Sequence, residues 1–428
     1  MFRNYGKIWV AFLLIGVVES TDRGLYAGGL VDQDLGGWNQ WRGADRTGWA
    51  LGGAWPSDLS ENSLNERWRT DRLGESYSGP ISDGEKVFTT LSKDGFESVV
   101  AYDLQSGEET WRTSWEGEMK VPFFAAKNGS WIRSTPAFSD GRLFVGGMKD
   151  HLVCLDAVSG KRLWEINFPQ DLQTPSPDFG FVSSPMVHKG HVYVQAGAGF
   201  CKVDAKTGNI VWRALVDKGG MYGSAFSSPV VAEFGGVEQV LVQTRNELVG
   251  VSTDFGGALW KKPIKAFRGM NILTPLVVEN AIFTSSYGGG SLRVEIAQAD
   301  GAWDASEEWS NRAQAYMCSP VAIDGAVYLH MRNQRFASYD LESGEENWVS
   351  DRGFGKYMSL IAKGNQVLAL DERGSLFLFE VSPEKLSFVD ERKVSEESCW
   401  AHLALIKDKL LIRSLNHLMA FDIGPSTL

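Results

Sequence analysis

Short apolar runs, each stopped by a polar turn, repeat along the chain. The plainest is Val100-Ala101-Tyr102, closed by Asp103 and followed by Gly107 and Trp111. The same frame returns at Asp156/Gly160/Trp164, Asp204/Gly208/Trp212 and Asp340/Gly344/Trp348. It returns once more with serine in the aspartate position, at Ser252/Gly256/Trp260. An aspartate can end a strand by accepting hydrogen bonds from the backbone just beyond it. The glycine supplies the positive φ of a tight hairpin. The tryptophan then sits on the next strand, where its ring can cover the space between neighbouring sheets. The pattern predicts hairpins throughout and almost no helix.

A second phrase opens each unit. It reads Ser78-Gly79-Pro80, Ser134-Thr135-Pro136, Ser183-Ser184-Pro185, Ser227-Ser228-Pro229, Leu273-Thr274-Pro275 and Cys318-Ser319-Pro320. Proline suits the first residue of a strand, where no ladder bond is lost. Tryptophans 111, 164, 212, 260, 309 and 348 stand 39–53 residues apart, the period of a four-stranded propeller blade. Two further units are degenerate, opening on Tyr357-Met358-Ser359-Leu360 and on Trp400-Ala401-His402-Leu403. The eighth has its closing Asp422 but no tryptophan strand, whereas Trp68 marks a tryptophan strand with no turn ahead of it. These two orphans complete each other. The expectation is an all-β, eight-bladed β-propeller of four-stranded antiparallel blades over residues 38–428, closed by an N-terminal strand, 65–71, that completes the last blade and removes a sheet edge. Residues 38–64 lack strand periodicity and are read as an ordered cap lying over the ring.

Ahead of the ring, Arg3 and Lys7 precede an apolar run from Ile8 to Val18, with Val18 and Ser20 placed as a cleavage site. Residues 1–20 read as a signal peptide and the Gly-rich 21–37 as a flexible lead-in. The run is too short to span a bilayer as a helix, and an uncleaved short anchor is the alternative reading. No cysteine follows it to carry a lipid. The chain is therefore expected to be exported, periplasmic or in the cell envelope, and membrane-associated only peripherally if at all.

A formal net charge of −11 over 428 residues argues against a nucleic-acid partner. Cys154, Cys201, Cys318 and Cys399 lie at non-equivalent positions of separate blades and read as buried free thiols. No metal site is expected. His188 and His191 flank a turn and read as solvated, and Asp300, Asp304, Glu307 and Glu308 lack calcium-loop spacing. No hydrolase, P-loop or dinucleotide motif is present.

In a propeller, the loops entering the innermost strands ring one mouth of the central channel. Here they bring Tyr77, Arg133, Phe181, Phe226, Asn271, Tyr316, Met317, Tyr357, Trp400 and His402 to that mouth. Aromatics with a few polar groups have the composition of a ligand pocket; packing between blades around a water-filled channel is the other reading. In the ligand reading, Trp400 and Tyr357 stack on a flat ligand while Arg133 and His402 pair with its acidic groups.

The phrase from Ala101 to Trp111, its counterpart from Asp204 to Trp212, and the opening Trp41-Arg42-Gly43 with Gly48 and 74–80 resemble the pyrroloquinoline-quinone (PQQ)-like propeller repeat family across residues 38–422. The resemblance implies the eight-bladed ring and two functional branches. One, the quinoprotein dehydrogenases, would bring PQQ, a calcium ion and oxidation of alcohols or sugars at the channel mouth. Its hallmark adjacent cysteine pair is missing, as is a haem-attachment motif. The other is similar to the outer-membrane assembly factor BamB, a non-catalytic propeller that docks proteins through its rim and loops. The expectation is a BamB-like, monomeric protein-binding scaffold without a cofactor. The PQQ-dependent dehydrogenase is the alternative, and a hydrolase or lyase with catalytic residues in the channel is a third class.

Overall fold

The computed structural model describes residues 37–117, 119–223 and 225–424. The expected signal peptide (1–20) and lead-in (21–37) lie outside the described residues, save Gly37. The strands form eight separate four-stranded antiparallel sheets. In blade 1 they are Ile81–Ser82, Lys86–Lys93, Phe96–Asp103 and Glu109–Glu116, paired in sequence order from the channel outward. Blades 2 to 7 repeat this meander. In blade 8 the three C-terminal strands are joined by Leu64–Arg69, which pairs with Leu418–Ile423 in the register Leu64 to Ile423 and Trp68 to Ala420. The first and last parts of the chain thus share one sheet, and the ring is closed.

The core lies between blades. One apolar cluster joins Phe88 and Val99 of blade 1 to Leu143, Val153 and Leu155 of blade 2; another joins Phe144 and Cys154 of blade 2 to Val192, Cys201 and Val203 of blade 3. All four cysteines are buried free thiols.

The recurring phrase is a staple between neighbouring blades. The Asp103 carboxylate accepts from the backbone N–H groups of Gln105 (3.0 Å) and Ser106 (2.7 Å) and from the Ser106 hydroxyl (3.0 Å). Asp156, Asp204 and Asp340 repeat this. The tryptophan of the preceding blade lies against the glycine of the turn. A Cβ on Gly107 would stand 2.6 Å from the Trp68 ring, one on Gly208 2.8 Å from Trp164, and one on Gly256 2.7 Å from Trp212. Gly160 and Gly344 lie in the same way against Trp111 and Trp309. The tryptophans thus cover the space between neighbouring sheets, as expected from the phrase, and the ring seated on Gly208 or Gly256 is that of the phrase before. The reason is that each outer-strand indole reaches across the seam, and a turn without a Cβ leaves room for it. Each indole N–H then crosses the seam to a carbonyl. Trp68 donates to Leu104 (3.1 Å), Trp111 to Ala157 (3.1 Å), Trp164 to Ala205 (3.2 Å) and Trp212 to Thr253 (3.4 Å). Trp309 donates to Leu341 (3.0 Å) and Trp348 to Ser382 (2.9 Å).

Three seams depart from the motif: Trp348 keeps its bond across the seam but has no glycine beneath its ring among the described residues, and the other two depart further. Trp260, grouped with the others by spacing, donates instead to the Gln239 side chain of its own blade at 2.7 Å. The reason is its neighbour. Blade 5 has no Asp-x-x-x-Gly turn to receive the ring, because its outer strands, Gly290–Ala299 and Ala302–Asn311, run on as a long hairpin. Blade 7 has no tryptophan, and Asp390 stands in, accepting from the Leu59 N–H at 2.7 Å. A smaller correction concerns His188, read as solvated: it is half-buried, with Nε2 3.0 Å from the Glu238 carboxylate.

The second phrase has its own logic. Its hydroxyls relay from blade to blade: Gly79 N–H donates to Thr135 Oγ1 (2.9 Å), Thr135 N–H to Ser184 Oγ (3.0 Å) and Ser184 N–H to Ser228 Oγ (3.0 Å). The relay resumes from Thr274 to Ser319 at 3.1 Å. Serine and threonine recur before the proline because they satisfy backbone groups buried at the channel wall.

Residues 38–54 do more than lie over the ring as a cap. They form a strap across the channel. Trp38 accepts from Ser82 of blade 1, Asn39 bonds Phe138 of blade 2, and Ala54 bonds Lys407 of blade 8. Arg46 donates to the carbonyls of Ser184 (3.1 Å) and Pro185 (2.8 Å) in blade 3. Arg42 donates to those of Ser319 (2.7 Å) and Pro320 (2.6 Å) in blade 6. Trp41 reaches Thr274 of blade 5, and Gly48 and Ala50 bond Ala362 of blade 7.

Candidate functional site

Above the strap, on the face where the innermost strands begin, the channel opens into a funnel of about 690 Å³. Its floor is Trp41 of the strap, His402 and the serines of the blade-entry phrases. Of the ten residues placed at this mouth by sequence, the structure brings eight to the lining: Tyr77, Arg133, Phe226, Tyr316, Met317, Tyr357, Trp400 and His402.

Phe181 and Asn271 are placed elsewhere. Phe181 turns into the seam between blades 2 and 3, packed so closely over Gly146 that a Cβ there would overlap its ring. Asn271 is buried and donates to the carbonyls of Thr244 and Arg245, both at 3.0 Å. It thereby fixes the turn that carries Arg245 to the lining.

One wall is a continuous aromatic face. Tyr77 stacks on Trp400 with ring centroids 4.3 Å apart and planes at 11°. Trp400 meets Tyr357 edge-on at 4.2 Å, and Tyr357 stacks on Tyr316 at 5.6 Å. Burial pushes the Tyr77 and Tyr357 hydroxyls up to about 12, so both are neutral donors at ordinary pH. The opposite wall carries Phe124, Phe179, Phe226 and Phe267 with Arg245 and Arg268. The Arg245 guanidinium lies 4.8 Å from the Phe226 ring centre, within cation–π range. At the rim, on the 3-10 turn Phe123–Asn128, Phe123 is 91% exposed and Phe124 49%; Phe267 across the mouth is 48% exposed.

Charge in the funnel has one sign. Arg133, Arg245 and Arg268 line it, and no aspartate or glutamate does. Arg133 donates to the carbonyls of Gly129 (2.8 Å) and Trp131 (3.4 Å). Burial pulls it down to about 10, which leaves it charged at neutral pH. His402 sits beside Trp41 (5.1 Å) with Nδ1 2.7 Å from the Leu403 carbonyl. Burial, helped by the nearby Arg42 charge, pushes it down to about 3, so its imidazole is neutral and cannot pair with an acid as the sequence reading had it.

Several lining residues had escaped the sequence reading. Trp41 belongs to the strap, Phe124 to the loop between Trp115 and Trp131, and Arg245 to the turn between the second and third strands of blade 4. Arg245 shows that the loops joining the second and third strands also build the wall, whereas Phe124 comes from a long entry loop, well ahead of the Ser-Thr-Pro phrase.

PQQ with calcium is the cofactor that the fold family implies. Calcium takes six to eight oxygen ligands, usually including carboxylates, and this lining offers it none. Among the described residues, no three His, Cys, Asp or Glu side chains converge on one point. The residues do not fit a calcium–quinone pair.

Comparison with known proteins follows the fold. The family model described as "Outer membrane protein assembly factor BamB" matches residues 95–350. The BamB of Yersinia pestis is 20% identical over 374 residues, covering 84% of this chain and 88% of that protein. A quinohemoprotein alcohol dehydrogenase of Pseudomonas putida is 28% identical over 171 residues, 38% of this chain but 22% of that protein. Among solved structures, BamB from Moraxella catarrhalis superposes with a TM-score of 0.61 at 14% identity, covering 85% of this chain and 99% of that one.

Proposed function

The chain belongs to the family of the outer membrane protein assembly factor BamB, and from this we propose that it is an exported, non-catalytic propeller that holds partner proteins in the cell envelope. It does so as a monomer, without a cofactor, through the loops of the funnel face. One observation carries the reading: that face presents Phe123, Phe124 and Phe267 to solvent around an aromatic cavity. Exposed apolar groups clustered at a concave mouth mark an interaction site. The match to the alcohol dehydrogenase covers a small part of that enzyme, and the lining has no carboxylate to hold calcium, which weighs against a PQQ-dependent dehydrogenase.

The test is site-specific photo-crosslinking in cells, with the crosslinker at position 123 on the funnel rim and at position 158 on the opposite face. Val158 is 71% exposed in the Asp156–Gly160 turn and serves as the control. The expected result is a discrete adduct with an outer-membrane assembly component from position 123 alone. Adducts from 158 but not 123 would overturn it. So would saturable PQQ binding accompanied by dye-linked alcohol oxidation.

A further inference from the structure

The funnel's charge stands apart from that of the rest of the molecule. The chain carries a net charge of −11, yet three arginines and no carboxylate line this cavity. Two more arginines, Arg42 and Arg46, lie buried directly beneath the floor. They donate to the backbone carbonyls of Ser184, Pro185, Ser319 and Pro320, and within the strap to Thr47 and Gln40; the Asp45 carboxyl lies close enough to Arg42 to offset part of its charge. Among the described residues, Arg46 has only neutral partners, which satisfy its N–H donors without neutralising its charge. A concave, low-dielectric site of one sign concentrates the opposite sign.

The arginines are also spread out. Arg133 enters from the loop before blade 2, Arg245 from a turn of blade 4, and Arg268 from the loop before blade 5. Across the funnel from Arg245 and Arg268 runs the wall of Tyr77, Trp400 and Tyr357. The apolar surface continues beyond the cavity onto exposed Phe123, so an occupant confined to the cavity would leave the rim bare.

We infer that the funnel docks an extended polypeptide segment of a partner protein that carries both acidic and aromatic side chains. Its carboxylates meet Arg133, Arg245 and Arg268, where planar guanidinium groups suit carboxylates. Its rings lie on the Trp400–Tyr357 wall, and its flanking residues cover Phe123. This names the chemistry of the partner and rests on the reading of the funnel face as a docking surface.

The experiment is a fluorescence-anisotropy titration of the full chain with two dye-labelled short peptides, one alternating Asp with Phe and its twin alternating Asn with Phe. The acidic peptide should bind at least about tenfold tighter. Its affinity should fall several-fold between about 50 and about 300 mM salt while the neutral twin's barely moves. Arg268→Gln, on an exposed side chain, should weaken the acidic peptide alone by about tenfold, and Arg133→Gln by as much or more. Arg162→Gln, on the outer strand of blade 2, should change nothing.

Equal affinity for the two peptides would overturn the charge assignment. If Trp400→Ala still weakened both, the docking reading would survive it. Displacement of the acidic peptide by an equimolar small aromatic tricarboxylate would overturn the polypeptide assignment. Binding of neither peptide would overturn the inference outright, and the crosslinking result would then decide the docking reading by itself.

Discussion

The seam between the last and first blades can be tested with two alanine substitutions at glycines of nearly equal φ. Gly107 (φ +73°) lies against Trp68, and a Cβ there would stand 2.6 Å from ring carbons Cγ and Cδ2. Gly141 (φ +71°) turns between the first two strands of blade 2, and a Cβ there meets nothing within 4 Å. Both alanines bear the left-handed backbone cost, about 1–2 kcal/mol. Only Gly107→Ala also forces the indole off the turn, an overpacking cost of about 1–3 kcal/mol. The expected losses are about 2–5 kcal/mol for Gly107→Ala and about 1–2 for Gly141→Ala. Removing the ring isolates the clash. Trp68→Ala forfeits about 2–3 kcal/mol for a half-buried indole and about 1 more for its bond to Leu104. In that background the two glycine substitutions should cost the same. The assay is urea unfolding of the single and double variants, with the coupling read from the cycle. If Gly107→Ala and Gly141→Ala cost the same with Trp68 present, the ring is not held by this staple.

The other predictions concern pH and the irregular seam. Hydrogen bonds from the turn backbone, and the Ser or Thr hydroxyls, hold Asp103, Asp156, Asp204 and Asp340 below the usual carboxylate range. Their stabilisation is therefore present above the unfolded pKa near 4 and is lost as pH falls through the lower folded values; urea midpoints should drop in acid, and less steeply in Asp103→Asn. Glu97 and Asp150 have the opposite sign, because burial pushes both up to about 7. The folded state holds their protons longer than the unfolded chain does, so stability should decline from about pH 4 to pH 7 and then level off. Glu97→Gln should flatten part of that decline. Trp260→Phe leaves the buried Gln239 amide oxygen without its 2.7 Å donor, costing about 1–3 kcal/mol by thermal or urea unfolding. Trp348→Phe frees only a half-buried Ser382 carbonyl, for about 1 kcal/mol.

The ring was legible because its information is periodic. Asp, Gly and Trp at fixed offsets describe one seam, and repetition extends them to most of the ring, including the closure by Leu64–Arg69. What escaped was set by a neighbour's shape. The offset alone does not say which ring a turn receives, so Gly208 and Gly256 hold the indoles of Trp164 and Trp212 rather than those that follow them in the chain. Trp260 has the right offset but faces a blade whose hairpin offers no turn, so it points inward. The mouth was legible to the same degree. Loops leading into the inner strands had to converge, and eight of their ten chosen side chains line the funnel. Phe181 was drawn away by the space over Gly146, and Asn271 by two carbonyls within reach. Arg245 sits in a turn that has no repeated phrase to mark it. Nothing in the pattern ties Arg42 or Arg46 to blades more than a hundred residues away.

Those two arginines connect the architecture to the site. A buried charge is costly, with Asp45 offsetting Arg42 in part and nothing acidic among the described residues offsetting Arg46, and an apolar pair of similar volume often packs at no loss of stability. Burial indeed pulls Arg42 down to about 10 and Arg46 to about 9. An apolar pair would fill the channel, but it could not reach the carbonyls of Ser184, Pro185, Ser319 and Pro320. The hydroxyl relay satisfies the N–H groups at the blade entries and leaves these acceptors to the strap. Nor could it set two positive charges beneath a cavity already lined by three. The strap therefore serves two ends with the same side chains: it ties blade 3 to blade 6 across the axis, and it adds positive charge beneath a cavity lined by three arginines, the sign that the proposed acidic segment requires.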